Sequence, residues 1–403
     1  MISTQSLSNG MSCYTIAKKG YFEKQAAIVI PCGGATEGTP GIAHFLEHKI
    51  FEDPELSMFE AFTQQGASVN AYTHFTHTVY YFNTSENFED NLKLLFRLVQ
   101  SPHLTEENVE KEKGIILSEI DMYADNPYWQ VYTTLYSHDI LGTRETVNSI
   151  QVANLQDFYK QHYMPKNTAL ICVGDLDAAQ VKDWAERSLS LSPWDTTLNE
   201  QALADTAAGL SPAEGLSPSS FFSKESFIEK RMPVSIPLFQ LSFKVLYQGI
   251  ASPITMAASS ILADMAAGES STVYASLYEK GMIDNQFSTE YIGGSFYGLF
   301  LCSGASQQPE SVRDILLQEF ESLRKQGLNK NRFETIKNKQ IGRYIRGFNS
   351  IDTLSSVQAD LFTKSQDLNT MMEAFRQVRL EDVEAQLHAH FKTDKHSLSI
   401  VRA

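Results

Sequence analysis

Three things are scarce in this sequence of 403 residues: long apolar runs, clustered cysteines and basic charge. No stretch approaches the roughly 20 consecutive apolar residues that a membrane helix needs. The opening residues, MISTQSLSNGMSCYTIAKKG, hold no apolar signal core, so the expectation is a cytoplasmic protein with no membrane partner. Cys13, Cys32, Cys172 and Cys302 are scattered and form no CxxC pair. That argues against both a disulfide framework and a cysteine zinc knuckle, and reads as four small buried side chains. With 33 Lys and Arg against 48 Asp and Glu the formal charge is −15. Such a balance disfavours phosphate backbones, so nucleic acid is not an expected partner; it favours solubility and would attract cationic segments of a substrate.

What is present is enough apolar residue, 42%, to bury more than one core, and domains run to about 100–200 residues each. Residues 26–31 (AAIVIP) and 169–173 (ALICV) read as short buried strands, whereas 90–123 and 311–346 carry apolar residues at helical spacing. Between them, the Ser-, Ala-, Thr- and Pro-rich stretch from about 190 to 222, interrupted by Pro193, Pro212 and Pro218, reads as a linker. We set it at 196–222, between an N-terminal domain, 1–195, and a C-terminal domain, 223–403. The halves echo each other faintly: LFRLVQSPHLTEENVEKEKGIILSEI at 95–120 is similar to LLQEFESLRKQGLNKNRFETIKNKQIGRYI at 316–345, and NTALICVG at 167–174 to HSLSIVR at 396–402. The chain reads as a duplicated α+β unit.

The chemistry is concentrated in GIAHFLEHKIFED, residues 41–53, where His44, Glu47 and His48 form an H-x-x-E-H pattern. Residues i and i+4 share a helix face, so both histidines can converge on one zinc ion, while Glu47 sits beside that face as a base rather than a ligand. Catalytic zinc takes three protein ligands and keeps a fourth position open, so a third ligand is required from elsewhere. The helix that Thr105 caps, TEENVEKEKGIILSEIDMYADNP, offers Glu112 and Glu119 two turns apart, in line with Ile115, Ile116 and Tyr123. On the residues alone this is either a solvated Glu- and Lys-rich face or a pair of carboxylates at a metal site, with Glu119 as ligand and Glu112 orienting one.

Around these residues the sequence resembles the M16 peptidases, the inverzincin family that includes pitrilysin, insulysin and the mitochondrial processing peptidase. GGATEGTPGIAHFLEHKIFE is similar to the family's Gly-rich lead-in, zinc motif and following apolar helix; His44 and His48 fall on its zinc histidines and Glu47 on its base. EKEKGIILSEIDMY is similar to the segment carrying the third ligand, which falls on Glu119, 119 − 48 = 71 residues beyond His48, with Glu112 on the supporting acid. QQGASVNAYTHFTHTVYYF at 64–82 is similar to the substrate strand, placing Asn70, Ala71 and Tyr72 where an extended peptide would add by β-augmentation. His74 and His77 lie in the same block and read as strand or turn residues.

The resemblance implies two homologous domains, each a mostly antiparallel sheet packed with helices, with one Zn2+ per chain in the first and none in the second. It implies hydrolysis of unfolded peptides, in general turnover or in removal of a leader peptide, and a short bacterial member working as a homodimer or as a heterodimer with a second M16-like subunit. Arg343, Arg346, Tyr291 and Tyr297 are candidates for binding the scissile carbonyl. A non-catalytic, peptide-binding companion subunit is the alternative that the same resemblance offers.

Overall fold

The computed structural model describes residues 2–36, 38–100, 102–137, 139–191, 222–247, 249–294, 297–392 and 395–403. The segment set as a linker, 196–222, lies outside them except for Phe222. The described residues fall into two compact units: the first from those of 2–120, 139–191 and 347–369, the second from those of 121–137, 222–346 and 370–403.

The first unit is built on six strands: β1 (Ile2–Ser6), β2 (Ser12–Ala17), β3 (Lys24–Ile30), β4 (Ala67–Thr73), β5 (Thr78–Thr84) and β6 (Ala169–Gly174). Their order is β1-β2-β6-β3-β5-β4, antiparallel except for the parallel pair β2·β6. The second holds β7 (Phe227–Arg231), β8 (Leu238–Leu246), β9 (Ser288–Gly293), β10 (Tyr297–Ala305) and β11 (His396–Arg402), ordered β7-β11-β8-β10-β9, again with one parallel pair, β7·β11. Without β1, the first order maps strand for strand onto the second, parallel pair included. The faint sequence echo is therefore a repeated α+β topology.

Helices of the first half are α1 (Ile42–Ile50), α2 (Met58–Gln64), α3 (Phe88–Gln100), α4 (Glu106–Ala124), α5 (Pro127–Thr133), α6 (Arg144–Ser149), α7 (Val152–His162) and α8 (Ala178–Leu191). The second half has α9 (Pro253–Ala267), α10 (Thr272–Glu279), α11 (Pro309–Gln326), α12 (Lys330–Gly347), α13 (Ile351–Phe362), α14 (Leu368–Gln377) and α15 (Leu380–His390). Strands β3 and β6 are apolar almost throughout because both their faces are covered. On one face Ala26, Ile28, Ile30, Tyr80 and Phe82 join a core with residues of α1, α3, α7 and α8. On the other lies α13, which contacts β6 and β3 and whose Asp352 Oδ1 accepts from Gln25 Nε2 at 2.6 Å and Asn83 Nδ2 at 3.1 Å. Conversely, α5 packs on β8 and β11 of the second sheet. In each half, the helix after the long one belongs to the other half's unit.

Thr105 caps α4 as its sequence indicates: its Oγ1 accepts from Asn108 N at 3.2 Å, and its own N–H donates to Asn108 Oδ1 at 3.0 Å. The expected stripe on that helix needs one correction. Ile116 is fully buried, but Ile115 is 50% exposed, since successive helical residues point about 100° apart and cannot both face the core. The four cysteines are free and buried, and among the described residues no helix is long and apolar enough to cross a membrane.

Candidate metal centre

The glycine-rich lead-in sets the position of α1 by close backbone approach. A Cβ on Gly33 would sit 2.1 Å from the His74 carbonyl oxygen. Gly41, which caps α1 at φ +90°, would place one 2.5 Å from the Leu141 oxygen, so only glycine fits both the space and the left-handed backbone. Gly34 N–H and Ala35 N–H donate to the carbonyls of His74 and Phe75, tying the loop to the β4–β5 turn. From this anchored start α1 buries Ile42, Phe45, Leu46 and Ile50, and the His44 and His48 rings come to 4.6 Å between centroids.

Helix α4 supplies the third group. Glu119 Oε2 lies 3.5 Å from His44 Nε2 and 3.5 Å from His48 Nε2, and the three prospective ligand atoms are all within 4.8 Å of one another. Ligands about 2.0–2.1 Å from a tetrahedral zinc are separated by roughly 3.4 Å, which the two 3.5 Å carboxylate–imidazole spacings approach. Two imidazole nitrogens and one carboxylate oxygen are also the donor set of an open, catalytic zinc site. The residues fit the metal.

Glu112 fixes the set from behind. Its Oε1 accepts from His48 Nδ1 at 3.0 Å, which orients Nε2 toward Glu119, and its Oε2 accepts from Lys49 Nζ at 3.2 Å. Lys49 is completely buried and also pairs with Glu52 at 3.0 Å. These contacts push the two histidines apart in basicity. Burial works against a charge on His48, but the hydrogen bonds to Glu112 and Glu119 outweigh it and hold its pKa up at about 9. His44, buried and beside His48, is pushed down to about 4. The hydrogen bond from His48 holds both Glu119 and Glu112 below the usual carboxylate range.

Glu47 stands outside the three-atom cluster. Its Oε2 accepts from Thr73 Oγ1 at 2.7 Å; Thr73 Oγ1 lies 3.3 Å from Thr78 Oγ1, which donates to the Cys32 carbonyl. Burial raises the Glu47 pKa and the Thr73 bond opposes the rise. Sequence reasoning missed Thr73 and Lys49. Alternation along β4 could have found Thr73, which follows Val69 and Ala71 on the face turned to α1.

Among the described residues strand β4 ends the sheet order, so one of its edges has no sheet partner there. Asn70 lines the cleft that also holds Glu47 and His48, and its Oδ1 accepts from the Ala71 N–H at 2.8 Å. Ala71 packs at the core margin. The Tyr72 ring lies against Tyr81 and His77, so only its backbone is shared with the edge. His74 and His77 occupy the β4–β5 turn, away from the three-atom cluster. Arg343, Arg346 and Tyr291 line one cleft of the second unit with Asp264, Glu290 and Lys339, whereas Tyr297 is buried.

The chain is similar to known proteins along its whole length. Residues 22–148 match the family model for Insulinase (Peptidase family M16), and residues 149–340 that for the Peptidase M16 inactive domain. The chain is 30% identical over 419 aligned positions to the uncharacterized zinc protease YmfH of Bacillus subtilis (strain 168), covering 97% of this chain and 94% of that protein. A putative M16-like peptidase from Alicyclobacillus acidocaldarius superposes with a TM-score of 0.87 at 27% identity, over 100% of this chain and 98% of the other. The periplasmic protease PqqL from Escherichia coli shares the fold (TM-score 0.75, 16% identity) over 99% of this chain but only 47% of its own. The two family models, which together match residues 22–340, and the likeness to the Bacillus zinc protease along nearly the whole of both chains place the protein in peptidase family M16.

Proposed function

We propose that this protein is a zinc-dependent endopeptidase that holds one Zn2+ through His44, His48 and Glu119, uses Glu47 as general base and cleaves unfolded peptides. The observation that carries this reading is the convergence of ligand atoms of His44, His48 and Glu119 to within 4.8 Å of one another, with Glu119 Oε2 3.5 Å from each His Nε2 and a fourth carboxylate, Glu47, on the same helix as the histidines. Zinc, when bound, supplies a Lewis acid that acidifies water and draws charge from a peptide carbonyl. The chain's residues do the rest. Glu47 takes the proton from the water that attacks the carbonyl carbon, then returns it to the amine nitrogen as the C–N bond breaks. Thr73 keeps the Glu47 carboxylate aimed, and Glu112 keeps His48 in the tautomer whose Nε2 is free to ligate. The edge of β4, from Asn70 to Tyr72, holds the substrate main chain extended, which selects unfolded segments with little demand on sequence.

Residues 1–195 carry the whole proposed centre and 223–403 are taken as the metal-free part, although α5 and α13 each belong to the other half's unit. A second M16-type subunit, identical or related, completes the functional particle; the longer PqqL chain, in which this fold takes up about half, supports that reading. The same chemistry serves general peptide turnover and leader-peptide removal. The match of 149–340 to the inactive-domain family supports the second reading, a non-catalytic companion that binds peptides. An intact quartet of His44, Glu47, His48 and Glu119 has no use in such a companion. The test is hydrolysis of quenched peptides by the purified chain, alone and with any M16-type protein that co-purifies with it from its native host. Hydrolysis that stops with chelator and returns with zinc supports the peptidase; peptide binding with no hydrolysis in either preparation supports the companion.

A further inference from the structure

We propose, on the reading that His44, His48 and Glu119 hold zinc, that Lys49 is a positioning residue: its buried ammonium straps α4 to α1 and keeps Glu119 at the two histidines in the metal-free protein. The prospective ligands come from two helices, so the centre persists only while α1 and α4 keep their spacing and register. Apolar side chains anchor α1, where Ile42, Ala43, Phe45, Leu46 and Ile50 are all buried. Helix α4 has little such anchorage. Of its 19 residues only Val109, Glu112 and Ile116 are buried, and one of those is a carboxylate. Ile115 and Met122 are 50% and 60% exposed. Gly114, with open space where a Cβ would lie, answers no packing need and lowers helix propensity midway between Glu112 and Glu119.

Polar contacts therefore decide how α4 lies on α1. Successive helical residues point about 100° apart, so His48 and Lys49 grip one carboxylate from different directions. His48 Nδ1 meets Glu112 Oε1 at 3.0 Å and Lys49 Nζ meets Oε2 at 3.2 Å. A single bond would leave the carboxylate free to pivot. Two bonds fix its plane, and with it the rotation of α4 that brings Glu119 to 3.5 Å from both histidine nitrogens. Glu52, 3.0 Å from Nζ, steadies the ammonium itself.

Lys49 is wholly buried, and a buried ion pair adds little net stability because desolvation offsets the Coulomb gain. Its effect is on register, since breaking the pair leaves charge uncompensated in the interior. A slide of α4 by one turn, about 5.4 Å, would part Glu112 from both of its α1 partners. The strap thus excludes misaligned placements of α4, and zinc affinity is not spent on ordering that helix.

The experiment compares wild type, Lys49→Met and Glu52→Gln by zinc competition against a chromophoric chelator and by amide hydrogen exchange of the chelated and zinc-loaded proteins. We expect Lys49→Met to lower zinc affinity roughly tenfold, as loss of a supporting contact does. In its chelated form α4 should exchange faster relative to β3 and β6 than in wild type, and zinc loading should abolish that difference, which a general loss of stability would not produce. Glu52→Gln keeps the Lys49–Glu112 bond and should stay within about twofold of wild-type affinity. Wild type supplies a test that needs no variant, should Lys49→Met not fold: its α4 amides should be protected with zinc removed. Unchanged zinc affinity in a folded Lys49→Met, or a wild-type α4 that gains protection only on zinc loading, overturns the proposal. Wild type that takes up no zinc instead overturns the reading of the centre, whereas zinc uptake without peptide hydrolysis overturns the peptidase and leaves the strap standing.

Discussion

Replacing Glu112 with glutamine separates two jobs that one carboxylate performs. Its two oxygens accept from His48 Nδ1 at 3.0 Å and from the Lys49 ammonium at 3.2 Å. Glutamine keeps the shape but has one accepting oxygen, so either His48 or Lys49 faces an NH2 group. If His48 faces it, the ring is driven to the tautomer that carries its proton on Nε2, the wrong atom for ligating. Loss of such a supporting contact lowers metal affinity about 10–100-fold, or about 1.4–2.7 kcal/mol. If Lys49 faces it, a fully buried ammonium is left with Glu52 alone, which costs the fold about 1–3 kcal/mol. Lys49→Met removes the competitor. In that background Glu112→Gln should cost less than about 1 kcal/mol of stability and still about tenfold in zinc affinity, because the amide oxygen can then turn to His48. Competition against a chromophoric chelator reads the affinity, and denaturant unfolding of the chelated protein reads the stability. Zinc affinity within about twofold of wild type in Glu112→Gln, with the stability of the chelated protein also unchanged, would refute the orienting role.

Two further outcomes concern pH. Thr73→Val removes the hydroxyl that opposes the burial-raised pKa of Glu47, so that pKa should rise further; because the base works ionised, the acid limb of the pH–rate profile should move to higher pH, and an unmoved limb would contradict the contact. In the chelated protein, burial holds His44, His162 and His390 down at about 4 and His77 at about 3, against about 6.5 when unfolded. The unfolded chain then binds more protons between those values, so stability is lost as pH falls from about 6.5 toward 4. His48, held up at about 9, contributes stability that is complete below about 6.5 and lost as pH rises through 9. The melting temperature of the chelated protein should fall from pH 7 toward both 5 and 9, and a flat profile across that range would contradict these burials.

How far the sequence could be read depended on whether an interaction was local. His44, Glu47 and His48 lie within one helical turn and a half, and Glu112 and Glu119 on one helix, so spacing alone put each group on a common side. Lys49 was out of reach: next to a metal motif it resembles any surface lysine, and its burial depends on Glu112, 63 residues away. Thr73 required the alternation of β4 to be joined to the position of α1. Ile115 and Ile116 could not be separated by periodicity, since either phase of the helix keeps one of them inside. Which sheet α5 or α13 covers is a matter of topology, and an amphipathic pattern carries no record of its partner.

Zinc content and hydrolysis measured side by side on wild type, Glu47→Gln and Glu119→Gln test the proposed centre most directly. Wild type should bind about one zinc per chain and lose hydrolysis with chelator. Glu47→Gln should keep that zinc while hydrolysis falls about 10²–10⁴-fold, and Glu119→Gln should lose the metal. Loss of zinc together with activity in Glu47→Gln, or undiminished zinc affinity in Glu119→Gln, would contradict the assignment of base and ligand.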